Sequence, residues 1–195
     1  MSTSPQVFIP LPKFMEPLVG LDREAFLEQC PTPVVVFDEI GEESKGGQFQ
    51  TISTVQGELA PTPEQQTDEG SDFMLQGASK WAYRLTTGSK FACILTLGRA
   101  ANNNLRINIP SLSKFHAYFT YVAKEKAWYL ADANSSNGTF LDGQELPPTH
   151  GKVKLENGAL MRFGPDITAR YLDPEGLWEQ LNKAAPTSQA ADEGE

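Results

Sequence analysis

Three short polar clusters stand out in the 195-residue chain: GRAANNNL (98–105), SLSKFH (111–116) and NSSNGT (134–139). Ser113 and His116 have the types of a nucleophile and its base, and Asp132 supplies the third member of a triad. His116 is also a candidate metal ligand. A third chemistry is anion binding. Arg99 offers a planar fork of donors suited to phosphate or carboxylate, Ser113 a short hydroxyl donor, and Lys114 a point charge. Asn137 both donates and accepts through one amide, which suits a peptide backbone. Asn137-Gly138 permits the positive φ of a sharp turn. Against a hydrolase, no GxSxG elbow and no strand–helix alternation accompany the serine.

Rigid elements must hold these loops. Alternating or β-branched runs predict strands at 81–85, 91–98, 117–122, 127–132, 138–143, 152–155, 159–164 and 168–173, separated by turn chemistry such as KEK, NSSNG, DGQ and ENG. Strands at intervals of roughly ten residues predict an all-β fold, an antiparallel β-sandwich, with the polar loops at its strand ends. Upstream, LDREAFLEQC (21–30) reads as a short helix and TPVVVFDEI (32–40) as a strand. Whether this unit docks on the sandwich or stands apart is open at this level. Residues 1–20, with Pro5, Pro10, Pro12 and Pro17, are expected to be extended or poorly ordered. After Pro174, EGLWEQLNKAA places Leu177, Trp178 and Leu181 on one helical side. The chain thus divides into an N-terminal extension (1–40), a flexible acidic linker (41–79), the sandwich (80–173) and a C-terminal helix with a disordered acidic tail (174–195).

The net charge of −9 is unevenly spread. Residues 1–77 hold 3 basic and 13 acidic side chains, residues 78–174 hold 12 basic and 7 acidic, and the remainder 1 basic and 5 acidic. The acidic flanks would repel a nucleic-acid backbone, while the basic middle can take a smaller anion. No apolar run reaches the length of a membrane span, and no signal peptide is visible, so a cytoplasmic protein without membrane or nucleic-acid partners is expected. Cys30 and Cys93 lack metal or redox spacing and read as reduced thiols. No cofactor and no metal are called for.

The ordered set Gly98-Arg99 with Asn103, Ser113 to His116-Ala117, Asp132 with Ser135 and Asn137-Gly138-Thr139, Gly143 with Leu146, and Leu155 with Gly158 and Phe163-Gly164 resembles the forkhead-associated (FHA) domain over about residues 80–173. The resemblance implies a β-sandwich that binds phosphothreonine in an extended peptide, without catalysis. Arg99 and Ser113 would grip the phosphate, Lys114 and Ser136 would lie beside it, and Asn137 would hold the peptide backbone. Gly98, His116, Gly138 and Thr139 would support the site, with His116 tying loops together. The implied role is a signalling adaptor in a Ser/Thr kinase pathway, its partner a phosphothreonine protein or the kinase itself. The alternative is a scaffold that binds proteins independently of phosphate. The linker threonines Thr51, Thr54, Thr62 and Thr67, in an acidic setting, are a further candidate ligand if phosphorylated. Two positions depart from the family pattern: Asp142 where Asn is frequent, and Ala159 where an acid is usual.

Overall fold

The run Val34–Phe37 is buried at every residue, a pattern that a strand shows only when both of its faces are covered. In the computed structural model, which describes residues 8–38, 80–86, 94–148 and 151–184, that is its situation. Val35 and Phe37 point into the core between two sheets, while Val34 and Val36 point outward against helices.

The strands in chain order are β1 (Ile9–Pro10), β2 (Val34–Phe37), β3 (Trp81–Arg84), β4 (Ile94–Gly98), β5 (Leu105–Arg106), β6 (Ala117–Val122), β7 (Ala127–Asp132), β8 (Thr139–Leu141), β9 (Gln144–Glu145), β10 (Lys152–Lys154), β11 (Leu160–Phe163) and β12 (Ile167–Leu172). The helices are α1 (Leu11–Met15), α2 (Arg23–Gln29) and α3 (Pro174–Ala184). Among the described residues one sheet runs β1-β3-β2-β12-β11-β8-β9 and the other β10-β7-β6-β4-β5. The fold is the expected sandwich, antiparallel except where β5 pairs parallel with β4. Phe163 is central to its core, with the rings of Phe37 and Phe119 6.4 and 6.3 Å away.

The question left open upstream has a definite answer. β2 is inserted between β12 and β3, in register from Ala169↔Phe37 to Leu172↔Val34 on one side and Val34↔Arg84 to Phe37↔Trp81 on the other. A boundary at residue 80 therefore separates paired strands. Asp22 caps α2 by accepting from the Ala25 amide at 2.8 Å, and α2 carries Phe26 against Trp178 of α3. Asp173 caps α3 in the same way, accepting from Gly176 at 2.7 Å.

One expectation is corrected. Residues 8–20 are not extended or poorly ordered: β1, α1 and a 3₁₀ turn at Glu16–Leu18 bury Leu11, Phe14, Met15 and Leu18 on the outer face of the first sheet. The prolines mislead because Pro12 and Pro17 sit in first turns, where a missing N–H costs nothing. The expected linker (41–79), the tail beyond residue 184 and Cys93 lie outside the described residues. Cys30 is a buried free thiol. No helix among the described residues is long and apolar enough to cross a membrane.

Candidate functional site

All nine residues named from sequence fall at one end of the sandwich, where β4 ends, β6 begins and the β7–β8 connection turns. The backbone brings them together. Arg99 N–H donates to the Ser113 carbonyl at 3.0 Å and Ala100 N–H to the Lys114 carbonyl at 3.1 Å. Asn103 completes this clamp, its Nδ2 donating to the carbonyls of Ala100 and Lys114 at 3.0 and 2.7 Å. Gly98 makes the close approach possible, since a Cβ there would lie 2.5 Å from the Lys114 oxygen and 2.9 Å from that of Ser113. Both obstacles are backbone atoms and cannot rotate away. Gly98→Ala is expected to destabilise the fold by roughly 1–3 kcal/mol, as overpacking does, read as a lower urea midpoint; an unchanged midpoint would contradict the clamp.

His116 is fully buried and uses both ring nitrogens. The Ser113 amide donates to Nδ1 at 3.1 Å, which leaves the proton on Nε2, 3.1 Å from the Gly138 carbonyl. The ring is thus a neutral brace between the second and third loops. Burial lowers its pKa below the ordinary 6.5, outweighing the raising pulls of the Gly138 carbonyl and the Asp132 charge. The unfolded chain therefore takes up this proton first as pH falls. The stability contributed by the neutral brace is complete above 6.5 and is lost progressively below it, until the folded ring itself protonates. Accordingly, the denaturant midpoint should drop as pH falls through 6.5, and the His116 ring signals in NMR should titrate at lower pH in the folded chain than in the unfolded one. A flat midpoint, or a folded ring that titrates at or above 6.5, would refute this.

The third loop is built on Asp132, which is buried and accepts from Ser135 N–H at 2.9 Å, Ser135 Oγ at 2.6 Å and Thr139 Oγ1 at 2.6 Å. This fixes the turn that presents Ser136 and Asn137. Ser136 N–H donates to Ser113 Oγ at 3.0 Å, and the two hydroxyl oxygens are 3.4 Å apart. Gly138, at φ +74°, lets the chain reverse, and its carbonyl also accepts from Gly164 N–H at 2.9 Å. Asn137 donates through Nδ2 to the Ser111 carbonyl at 2.8 Å. In this structure, then, one N–H of that amide holds a loop of the protein itself; the second N–H and the carbonyl oxygen of the Asn137 side chain are left to donate and accept.

The geometry does not assemble a triad. Ser113 Oγ is bonded to Ser136, not to His116, and Asp132 is engaged by Ser135 and Thr139. Among the described residues no group of three or more His, Cys, Asp or Glu could hold a metal ion. What the loops offer is donors. Arg99 and Lys114 are exposed and make no side-chain hydrogen bond or ion pair with a described residue, whereas Arg162 lies 3.6 Å over the Phe140 ring and donates to Gly164. Sequence reasoning passed over the positioning roles of Asn103, Ser111 and Gly164. Gly164 lies 3.3 Å from the Ser111 oxygen and 3.4 Å from Asn137 Cβ, measured from the Cβ it lacks. Asn103 and Gly164 were visible as pattern members, but only the fold shows what each touches. Asp142 is compatible with the position it holds: it adopts φ +48° and accepts from Leu160 N–H at 2.8 Å, as Asn would.

Fold and site define a β-sandwich whose strand-end loops converge donors on one exposed spot. Residues 95–164 match the family model of the FHA domain, and the chain carries an FHA domain in that span. A curated relative, the mouse sarcolemmal membrane-associated protein, is 35% identical over 77 residues, covering 36% of this chain and 9% of that protein. The chain therefore matches only about a tenth of that relative's length. Similar solved structures include an Arabidopsis thaliana FHA domain (19% identity, 73% of this chain and 86% of that one, TM-score 0.44). Another is Mycobacterium tuberculosis EmbR in complex with a low-affinity phosphopeptide (21% identity, 47% and 21%, TM-score 0.39).

Proposed function

We propose that this chain is a non-enzymatic signalling adaptor that binds phosphothreonine in an extended peptide, in a cytoplasmic Ser/Thr kinase pathway. The observation that carries this reading is the convergence of Arg99 and Lys114, exposed and uncommitted, with the hydroxyls of Ser113 and Ser136 on a backbone already held rigid from behind. Arg99 and Ser113 grip the phosphate, Lys114 and Ser136 flank it, and Asn137 holds the peptide backbone. A phosphate carries roughly −1.5 to −2 charges, and each charge-assisted hydrogen bond contributes about 1.5–3 kcal/mol. Two or three such bonds, less the ordering of the peptide, give an affinity on the order of micromolar.

Calorimetric titration with a phosphothreonine peptide library tests it, against unphosphorylated and phosphoserine controls. Micromolar binding that requires the phosphate and prefers phosphothreonine is the expected result. Binding indifferent to phosphate would favour the scaffold alternative instead.

A second source of ligand is the chain itself. The segment between β2 and β3 leaves at Asp38, whose N–H donates to the Thr168 carbonyl at 3.0 Å, and returns at Lys80, which pairs with Asp38. Both points lie at the site end of the sandwich, beside the β11–β12 turn that carries Gly164. Phosphorylated Thr51, Thr54, Thr62 or Thr67 would compete from a tether at high effective concentration. Phosphorylated chain that binds external peptide as well as unphosphorylated chain does would exclude this source.

A further inference from the structure

β6 runs away from the phosphate-binding loops, so the β6–β7 turn, the β10–β11 turn and the end of β12 meet at the opposite end of the sandwich. There they line a half-open cavity of about 360 Å³, within the range of small-ligand sites. The rings of Tyr121 and Trp128, 5.4 Å apart and tilted by 48°, form part of its wall. Tyr171 is only 5% exposed and lines the same cavity, yet its hydroxyl has no hydrogen-bond partner among the described residues. Its oxygen is not one of the fully buried unpaired atoms among the described residues, so the hydroxyl opens on the cavity and is available to a ligand there.

The charges around it indicate which ligand. Three carboxylates line the cavity, those of Glu125, Glu156 and Asp173, against the ammonium groups of Lys126 and Lys154. Lys154 is already spent on Glu156 at 2.7 Å. Glu125 and Asp173 take their hydrogen bonds from neutral donors, the Tyr129 hydroxyl and the Gly176 amide; Lys154 also feels the Glu125 charge, but the carboxylates of the lining outnumber its ammonium groups by one. Burial first, and then Asp173 and Glu156, push the Tyr171 pKa upward, which keeps its hydroxyl protonated and places it in a negative field. Aromatic faces, a hydroxyl and surplus negative charge together suit an organic cation.

We propose that this cavity is a second binding site, which takes the cationic end of an arginine or lysine side chain from a partner protein. It stands independently of the phosphothreonine reading. The test is NMR titration of the full chain with Nα-acetyl-arginine amide and Nα-acetyl-lysine amide, with uncharged Nα-acetyl-norleucine amide as control. The Trp128 indole N–H and the amides of Glu156 and Asp173 should shift and saturate at ~1–10 mM, the range for a single charged contact. The amides of Ser113 and Ser136, at the far end, should stay in place. Preference for the arginine probe would assign a guanidinium site, and the reverse an ammonium site; either supports the proposal. Glu156→Gln, at an exposed position, should weaken binding about threefold, and Tyr171→Phe should weaken it in a chain shown to be folded. Equal shifts with the norleucine probe, no saturation with either cation, or undiminished affinity in E156Q would overturn it.

Discussion

A chain that begins at Lys80 is expected not to fold, although the family match lies wholly within it. Such a chain lacks β2, whose four side chains are all fully buried: Val35 and Phe37 in the sandwich core, Val34 and Val36 under the helices. Burying each side chain contributes roughly 1.5–3 kcal/mol, so their loss alone approaches the roughly 5–15 kcal/mol that holds a domain together. The damage extends further. β12 would lose its partner from Ala169 to Leu172, and β3 would be left with no strand to join it to the sheet. The groups that β2 satisfied would be left as an open edge along the middle of the sheet. Helices α1 and α2, which with α3 cover the outer face, would be gone as well. Far-UV circular dichroism and an amide NMR spectrum of residues 80–195 decide the matter: loss of the strand signal and collapsed amide dispersion are expected. A well-dispersed spectrum with a cooperative melt would show that β2 is dispensable.

The second large effect is on binding, with the fold left intact. Arg99→Ala should weaken a phosphothreonine peptide by about 1.5–3 kcal/mol, roughly ten- to a hundredfold, because it removes a charge-assisted fork from the proposed phosphate grip. The thermal midpoint should hardly move, since the guanidinium is exposed and supports no described neighbour; the backbone bond from Arg99 N–H to Ser113 survives the substitution. Ser113→Ala should act differently. Ser113 Oγ accepts from the Ser136 amide, so its loss loosens the third loop as well as removing a donor. Calorimetry paired with thermal melts separates the two. Arg99→Ala that binds normally would refute the phosphate grip; a large drop in its melting temperature would show that the arginine is structural.

Much of the sandwich was legible because its signals are local. AYFTYV and AWYLAD alternate at the strand period, and both strands form at the residues predicted, 117–122 and 127–132. Turn chemistry between them is local too, and so are the caps that Asp22 and Asp173 place on their helices. The candidate site was legible as a set of types, because an arginine, a lysine, hydroxyls and an Asn-Gly turn declare donor chemistry wherever they stand. The order of strands was not legible. Nothing within VVVF says that its neighbours are residues 81–84 and 169–172, since pairing is decided by which faces need covering in the folded chain. The prolines near the start concealed α1 for a related reason: Leu11, Phe14, Met15 and Leu18 form a buried face only because a sheet lies beneath them.

The same division runs through the site. The sequence alone determined a β-sandwich with an anion-binding set of side chains, and it also supplied the glycines that make tight turns possible. Only the tertiary structure decided that His116 is a neutral brace with both nitrogens committed, that Asn103 clamps the loop behind Arg99, and that Asn137 holds Ser111. Residue type and spacing fix what a side chain is able to bond. Which partner lies within about 3 Å of it is set by strands that pair across long stretches of chain.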